Sequence, residues 1–209
     1  VLICDEHDLV RRSLTATLEE SQALEVVAEV AGGAEAVAES LRVAPDVVFV
    51  SLYLPDLAGT QTIGLICDVM PGVTVVALAV EESADERFDA LRAGAFGVID
   101  KEQFLESPAA AVERLLRGAP FLAAESAGLL LARFDDVVET SGVAPLTGRE
   151  RSVLERVAEG DEPTAIGDGL QMVMGEVRNH MVNVLRRLQA GAPPEVVPEA
   201  RELLATVSG

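Results

Sequence analysis

Tryptophan is absent, tyrosine occurs once and phenylalanine six times, so aromatic residues make up only 3% of the 209 residues. The chain is nonetheless 49% apolar, and its core must be built from Val, Leu and Ala. Cysteine is scarce: Cys4 lies in an apolar strand-like run and Cys67 in a helix-like stretch, and both are expected to be buried, reduced thiols. These two cysteines and the two histidines, His7 and His180, stand at no ligand-like spacing, so no structural metal and no cofactor are expected. No run of about 18 uncharged apolar residues occurs, which argues against a membrane span. No basic stretch followed by an apolar one opens the chain, so nothing points to secretion and a cytoplasmic location is expected. A start at Val1 rather than Met implies that a few residues were trimmed.

Positive charge is also scarce, with 16 Lys and Arg against 35 Asp and Glu, a net charge of -19. Residues 1–143 hold 9 basic and 25 acidic residues, and residues 144–209 hold 7 and 10, so the acidity is concentrated in the first part. Such a chain is repelled by nucleic acid at long range, and any nucleic-acid role needs a local basic patch.

Short Val-rich segments alternate with helical spacing along the first half. Strands are expected at 1–4, 25–30, 46–50, 73–80 and 96–100. Helices are expected at 9–20, 34–43, 60–70, 84–93 and 107–117. This alternation implies right-handed crossovers and a parallel five-stranded sheet covered on both faces. In such sheets the functional crevice lies beyond the carboxyl ends of the strands. The residues there are Asp5 and Glu6, Ser51, Ala79, and Asp100 with Lys101. Residues 119–144 read as a linker, entered through Gly118 and Pro120, with helical spacing over 123–139. From Leu146 the pattern is all helical. Thr147 followed by Glu150 is a capping-box signature for a helix that stops at Gly160. A short helix at 163–170 and a longer one at 173–189 read as a helix-turn-helix. Pro193 and Pro194 then break the chain before a last helix at about 195–207.

The order of parts, with "VLICDEHDLVRRSL", "PDVVFVSLYLPDLAG", "LRAGAFGVIDKE", "LTGRERSVLERVAEG" and "EVRNHMVNVLRRL", resembles a response regulator of the NarL/FixJ type. The resemblance covers nearly the whole chain. It implies a flavodoxin-like (βα)5 receiver domain over 1–118 and an all-α, four-helix, LuxR-type helix-turn-helix domain over 145–209. In ordinary receivers an aspartate at the end of the third strand takes a phosphoryl group, an acidic pair helps to hold Mg²⁺, and a Thr or Ser and a Lys bind the phosphoryl oxygens. By position Asp5 and Glu6 match the acidic pair and Lys101 the lysine, whereas Ser51 falls on the acceptor, Ala79 on the Thr or Ser, and Val98 on an aromatic position.

These departures act in one direction. A serine hydroxyl is a poor nucleophile without a base to take its proton, and His7 is a weak candidate for one. Losing the aspartate removes a Mg²⁺ ligand and leaves only weak binding at Asp5 and Glu6. Ala79 offers no hydrogen bond. Asp46, about 16 Å away at the far end of the strand, and Asp56, beyond Pro55, are poor substitutes. A receiver not switched by aspartyl phosphate is therefore expected, with Lys101 paired to Asp5 or Glu6. No nucleophile–base pair points to an enzyme.

On the C-terminal side the resemblance makes 173–189 the DNA-reading helix. Val177, Met181, Val184, Leu185 and Leu188 form its core stripe, and Arg178, Asn179, Val182 and Asn183 lie away from it. Glu176, Arg178, Asn179, His180, Asn183, Arg186 and Arg187 are the candidate DNA-binding residues, and three Arg against one Glu give the helix the local positive charge the chain otherwise lacks. Glu176 replaces the usual Thr and faces phosphates, and Val173 replaces the usual Ser cap at a cost of about 1 kcal/mol. Asp161, Glu162 and Pro163 replace less acidic turn residues. Three readings stay open. The leading one is a phosphorylation-independent transcriptional regulator that binds double-stranded DNA as a homodimer or with another regulator of the same type. The second is an interaction protein that antagonises a partner without binding DNA. The third is a receiver repurposed to hold a small-molecule ligand at Ser51.

Overall fold

Val, Ile and Leu in short runs form strands where both faces can be covered, and this chain places five such runs side by side. A computed structural model describes residues 1–20, 24–80, 83–106, 122 and 124–190. The strands are β1 (Leu2–Cys4), β2 (Ala28–Val30), β3 (Val47–Ser51), β4 (Thr74–Ala79) and β5 (Gly97–Asp100). They pair in parallel in the order β2-β1-β3-β4-β5. Between them run α1 (Asp8–Glu19), α2 (Gly33–Val43), α3 (Gly59–Val69) and α4 (Ala84–Ala93), and the short α5 (Lys101–Glu106) follows β5.

Alternation along the strands divides the core. Leu2, Cys4, Val48, Val50, Val75 and Ala77 face one side, with Ala36, Val37, Ile63 and Ile66 of α2 and α3. Ile3, Phe49, Val76 and Leu78 face the other, with Leu14 and Leu18 of α1 and Phe104 of α5. Phe49 and Phe104 meet edge to face at 5.4 Å. The chain reverses its winding between β1 and β3, and there the ends of those strands form the crevice.

Most boundaries fall within two residues of the sequence expectation, and two differ by more. β2 is only three residues long, Ala28–Val30, although the Val27 N–H still bonds across to the Val1 carbonyl at 2.8 Å, just before the first pair, Leu2 with Ala28. A helix begins at once after β5, at Lys101, because the Asp100 side chain accepts the Glu102 N–H at 2.8 Å and caps it. The helix expected at 107–117, the break at Pro193–Pro194 and the last helix at 195–207 lie outside the described residues.

The second half contains α6 (Ala124–Ser141), α7 (Gly148–Ala158), α8 (Pro163–Leu170) and α9 (Met174–Ala190). The expected helical part of the linker is α6, and its inner face belongs to the C-terminal core: Leu130, Phe134 and Val137 are buried with Val153, Leu154 and Leu188. The capping box at the start of α7 forms, with the Glu150 N–H donating to Thr147 Oγ1 and the Thr147 N–H to Glu150 Oε2. α8, a turn through Gln171 in the left-handed region (φ 54°), and α9 make the helix-turn-helix.

Candidate functional site

Strand β1 runs straight into Asp5, and the residue that follows β5 is Lys101, so the topology alone brings these two groups to the crevice. Asp5 is fully buried and Lys101 nearly so. Lys101 Nζ lies 2.8 Å from Asp5 Oδ2, 3.2 Å from Glu6 Oε1 and 2.9 Å from Ser51 Oγ. An ammonium has three N–H bonds, and here it meets three oxygens. Asp5 Oδ1 accepts the His7 N–H at 2.9 Å.

Ser51 ends β3 and is fully buried. Its Oγ accepts from Lys101 and from the Tyr53 N–H at 3.2 Å, which uses both of its lone pairs. Its single proton has the Tyr53 carbonyl at 3.0 Å and the Glu6 carboxylate within reach. The loop is drawn tight by Gly59, whose N–H bonds to the Leu52 carbonyl, and a Cβ there would stand 2.3 Å from the Ser51 carbonyl oxygen. Burial pushes the Glu6 carboxyl up, but hydrogen bonds from Ser51 and its own backbone, together with Lys101, outweigh this and hold it below the usual glutamate range. Ala79 is fully buried at the end of β4 and pairs in register with Asp100.

Serine and lysine therefore do stand within hydrogen-bonding distance, a pairing the sequence pattern did not show. It is not a nucleophile and base. The lysine donates to the serine, and the serine oxygen has no free lone pair for attack. His7 is turned elsewhere: its ring is mostly exposed and its Nδ1 is 2.9 Å from Glu6 Oε1. Asp5, Glu6 and His7 offer ligand atoms within 4.8 Å of one another. They fit a Mg²⁺ ion poorly, because the Lys101 ammonium already sits on one oxygen of each carboxylate and an imidazole is a poor ligand for so hard a cation.

Asp56 has a different task. Its carboxylate accepts the Gly33 N–H at 2.7 Å and the Ala34 N–H at 3.0 Å, capping α2 from across the sheet end. Burial pushes this carboxyl up, and those two N–H groups, with others of its own loop, more than offset it and hold it below the usual range. Tyr53 reaches on to α4, donating its hydroxyl to Glu86 Oε1 at 2.8 Å.

On α9, Val177, Met181, Val184, Leu185 and Leu188 are buried as the spacing predicts. Arg178, Asn179, Asn183 and Arg186 are exposed and His180 is half-buried. Arg187 is occupied within the domain. It pairs with Glu150, donates to the Ala144 and Pro145 carbonyls at 3.2 and 2.7 Å, and lies over the Phe134 ring. Glu176 folds back on its own helix and accepts the Val173 N–H at 2.9 Å, so it supplies half of the cap that Val173 cannot. The Glu at the third helical position was the sequence signal for this.

The outward strip of α9 does not stand free. Arg178, Val182, Leu185, Arg186 and Gln189 line a groove whose other wall is the receiver half, from Met70 to Thr74 with Cys67, Gly94 and Phe96. Gly94 permits the approach: a Cβ there would fall 2.8 Å from Cys67 Sγ and 2.9 Å from Gln189 Nε2. Burial pushes the Cys67 thiol up to about 12, so it is an inert part of that wall. Beside the groove, α6 is tied to α4. Arg133 pairs with Asp85 at 2.5 Å and lies 5.2 Å from the Phe88 ring, and Arg87 pairs with Glu125 at 3.4 Å. Nothing in local sequence pattern signals this packing.

Comparison with known proteins gives two family matches. Residues 1–113 match the response regulator receiver domain, and residues 144–200 match the bacterial regulatory proteins of the luxR family. The transcriptional regulatory protein LiaR of Bacillus subtilis is 29% identical over 90% of each chain. The DNA-binding transcriptional activator DevR/DosR of Mycobacterium tuberculosis is 30% identical over 90% of this chain and 87% of its own. Among solved structures, the Salmonella typhimurium RcsB response regulator superposes with a TM-score of 0.54 at 21% identity, covering 99% of this chain and 96% of that one.

Proposed function

Since the chain belongs to the response regulators that join a receiver domain to a LuxR-type DNA-binding domain, we propose that it regulates transcription without aspartyl phosphorylation. In this reading it binds double-stranded DNA through the outward strip of α9, as a homodimer or together with another regulator of the same architecture. The observation that carries the reading is Ser51. At the acceptor position stands a buried hydroxyl whose oxygen is saturated by Lys101 and Tyr53, beside an Ala79 that offers no donor. Two relatives are named as transcriptional regulators, which supports DNA as the target. Exposed Arg178, Asn179, Asn183 and Arg186 supply donors for phosphates and base edges. A two-fold partner doubles those contacts, which an acidic chain needs. DNA and the receiver compete for the same strip of α9, so α9 must part from the receiver to read DNA.

A second reading, an interaction partner that does not bind DNA, is favoured by that covering and by the acid at Glu176. A ligand at Ser51, the third reading, would have to displace Lys101 from its three partners.

Two measurements test the proposal. Incubation with acetyl phosphate and Mg²⁺ is expected to leave the mass of the protein unchanged, and addition of a phosphoryl group at Ser51 would refute phosphorylation independence. Glu176→Gln keeps an oxygen for the Val173 N–H but removes a negative charge from the approach to phosphates. It is expected to tighten DNA binding, with the gain fading as salt rises. If Glu176→Gln and Arg178→Ala both leave retention on promoter DNA unchanged, with and without a related regulator, the interaction-partner reading takes its place.

A further inference from the structure

We propose that Val182 reads the methyl group of a thymine when α9 lies in the major groove. This rests on the DNA-binding reading above and adds which base the helix selects. The buried stripe of α9 is complete without Val182: Val177, Met181, Val184, Leu185 and Leu188 fill it. Val182 stands one turn after Arg178 and one turn before Arg186, with Asn179 and Asn183 beside it. It is thus a branched apolar side chain in the middle of a polar, cationic sector.

Val182 is half-buried and lines the groove whose other wall carries Met70, Pro71, Val73 and Phe96 of the receiver half. Once α9 leaves that wall, Val182 faces whatever the helix docks against. In the major groove the base edges offer hydrogen-bond donors and acceptors and one apolar group, the C5 methyl of thymine. Arginine and asparagine satisfy the polar edges, guanine and adenine best, and a valine finds a favourable partner only in the methyl. A β-branched side chain on a helix is held in essentially one rotamer, so its two methyls are presented at a fixed place rather than searching for contact. The receiver and a thymine are then alternative apolar partners for one side chain.

The test uses the full chain and a duplex selected from a random pool at low salt. Each thymine of the selected site is replaced in turn by deoxyuridine, which removes the C5 methyl and nothing else. One thymine in each half-site is expected to weaken binding about fourfold on replacement, the contribution of one buried methyl. Val182→Ala, checked by circular dichroism for its fold, is expected to bind the thymine and uracil duplexes alike. Arg178→Ala is expected to weaken both while keeping their ratio. If the wild-type protein selects a site but no thymine-to-uracil change alters binding, or if Val182→Ala keeps the full discrimination, Val182 is a packing residue of the closed arrangement and the inference is wrong. If no duplex is enriched, the DNA-binding reading fails and this inference falls with it.

Discussion

A lysine between two carboxylates, with a hydroxyl as third acceptor, spends all three of its N–H directions inside the pocket. Lys101 lies within 3.2 Å of oxygens of Asp5, Glu6 and Ser51, and Glu6 Oε2 is left buried without a hydrogen bond. A phosphoryl group needs two things this pocket lacks: a carboxylate to accept it and a hydroxyl at position 79 to hold an oxygen. Restoring only the first puts a third carboxylate beside a single ammonium. Ser51→Asp alone is therefore expected to take little phosphoryl group from acetyl phosphate with Mg²⁺, and Ser51→Asp with Ala79→Thr to take up one group per chain. Mass spectrometry of the intact protein reads both. Uptake by the double variant no greater than by wild type would show that these two residues are not what decides whether the pocket takes a phosphoryl group.

At the scale of elements, the caps and their charges do the work that periodicity leaves undone. Glu150 caps α7 and also receives Arg187 from α9, so one carboxylate joins two helices of the DNA-binding half. Burial pushes this carboxyl up, but the Thr147 N–H and hydroxyl and Arg187 outweigh it and hold it below the usual glutamate range. A lowered pKa in the folded state means a contribution present above the unfolded value, about 4.3, and lost as the pH falls below it. Glu150→Gln is expected to cost about 1–2 kcal/mol near neutrality, and the gap to wild type is expected to close as the pH is lowered through the acid range. Thermal melts of both proteins across that range measure it, and a gap independent of pH would mean that the charge of Glu150 does not matter. Much of this was legible from sequence. α4 at 84–93 and α8 at 163–170 follow from local pattern, and so does the Thr147–Glu150 box. The Lys101 pairing with the acidic pair followed from the resemblance, but its contact with Ser51 did not. Asp56 on α2, Arg187 on Glu150 and the early start of α5 were not legible, because each depends on which segment the fold lays beside which. For the same reason Arg187 counted as a DNA-binding candidate while its guanidinium serves the domain interior.

For the whole molecule, the question is what holds α9 against the receiver. Arg178 and Arg186 line the groove but make no ion pair or hydrogen bond among the described residues. The contacts with definite geometry lie beside the groove, between α4 and α6, and Arg133 makes two of them, the ion pair with Asp85 and the approach to the Phe88 ring. Both are partly exposed, so together they contribute about 1 kcal/mol. That is small against folding but corresponds to roughly a fivefold shift between two arrangements of the same folded domains. Because α6 is built into the C-terminal core, losing Arg133 frees α6 and α9 from the receiver together. Arg133→Ala is therefore expected to raise the radius of gyration measured by small-angle scattering without DNA and to tighten DNA binding by up to about fivefold. Added salt is expected to expand the wild-type protein toward the variant, since it screens the Arg133–Asp85 pair. Scattering separates this from DNA binding, which salt weakens in both proteins. A variant with unchanged radius and unchanged affinity would place the hold on α9 in the apolar groove around Gly94, Phe96 and Val182 instead.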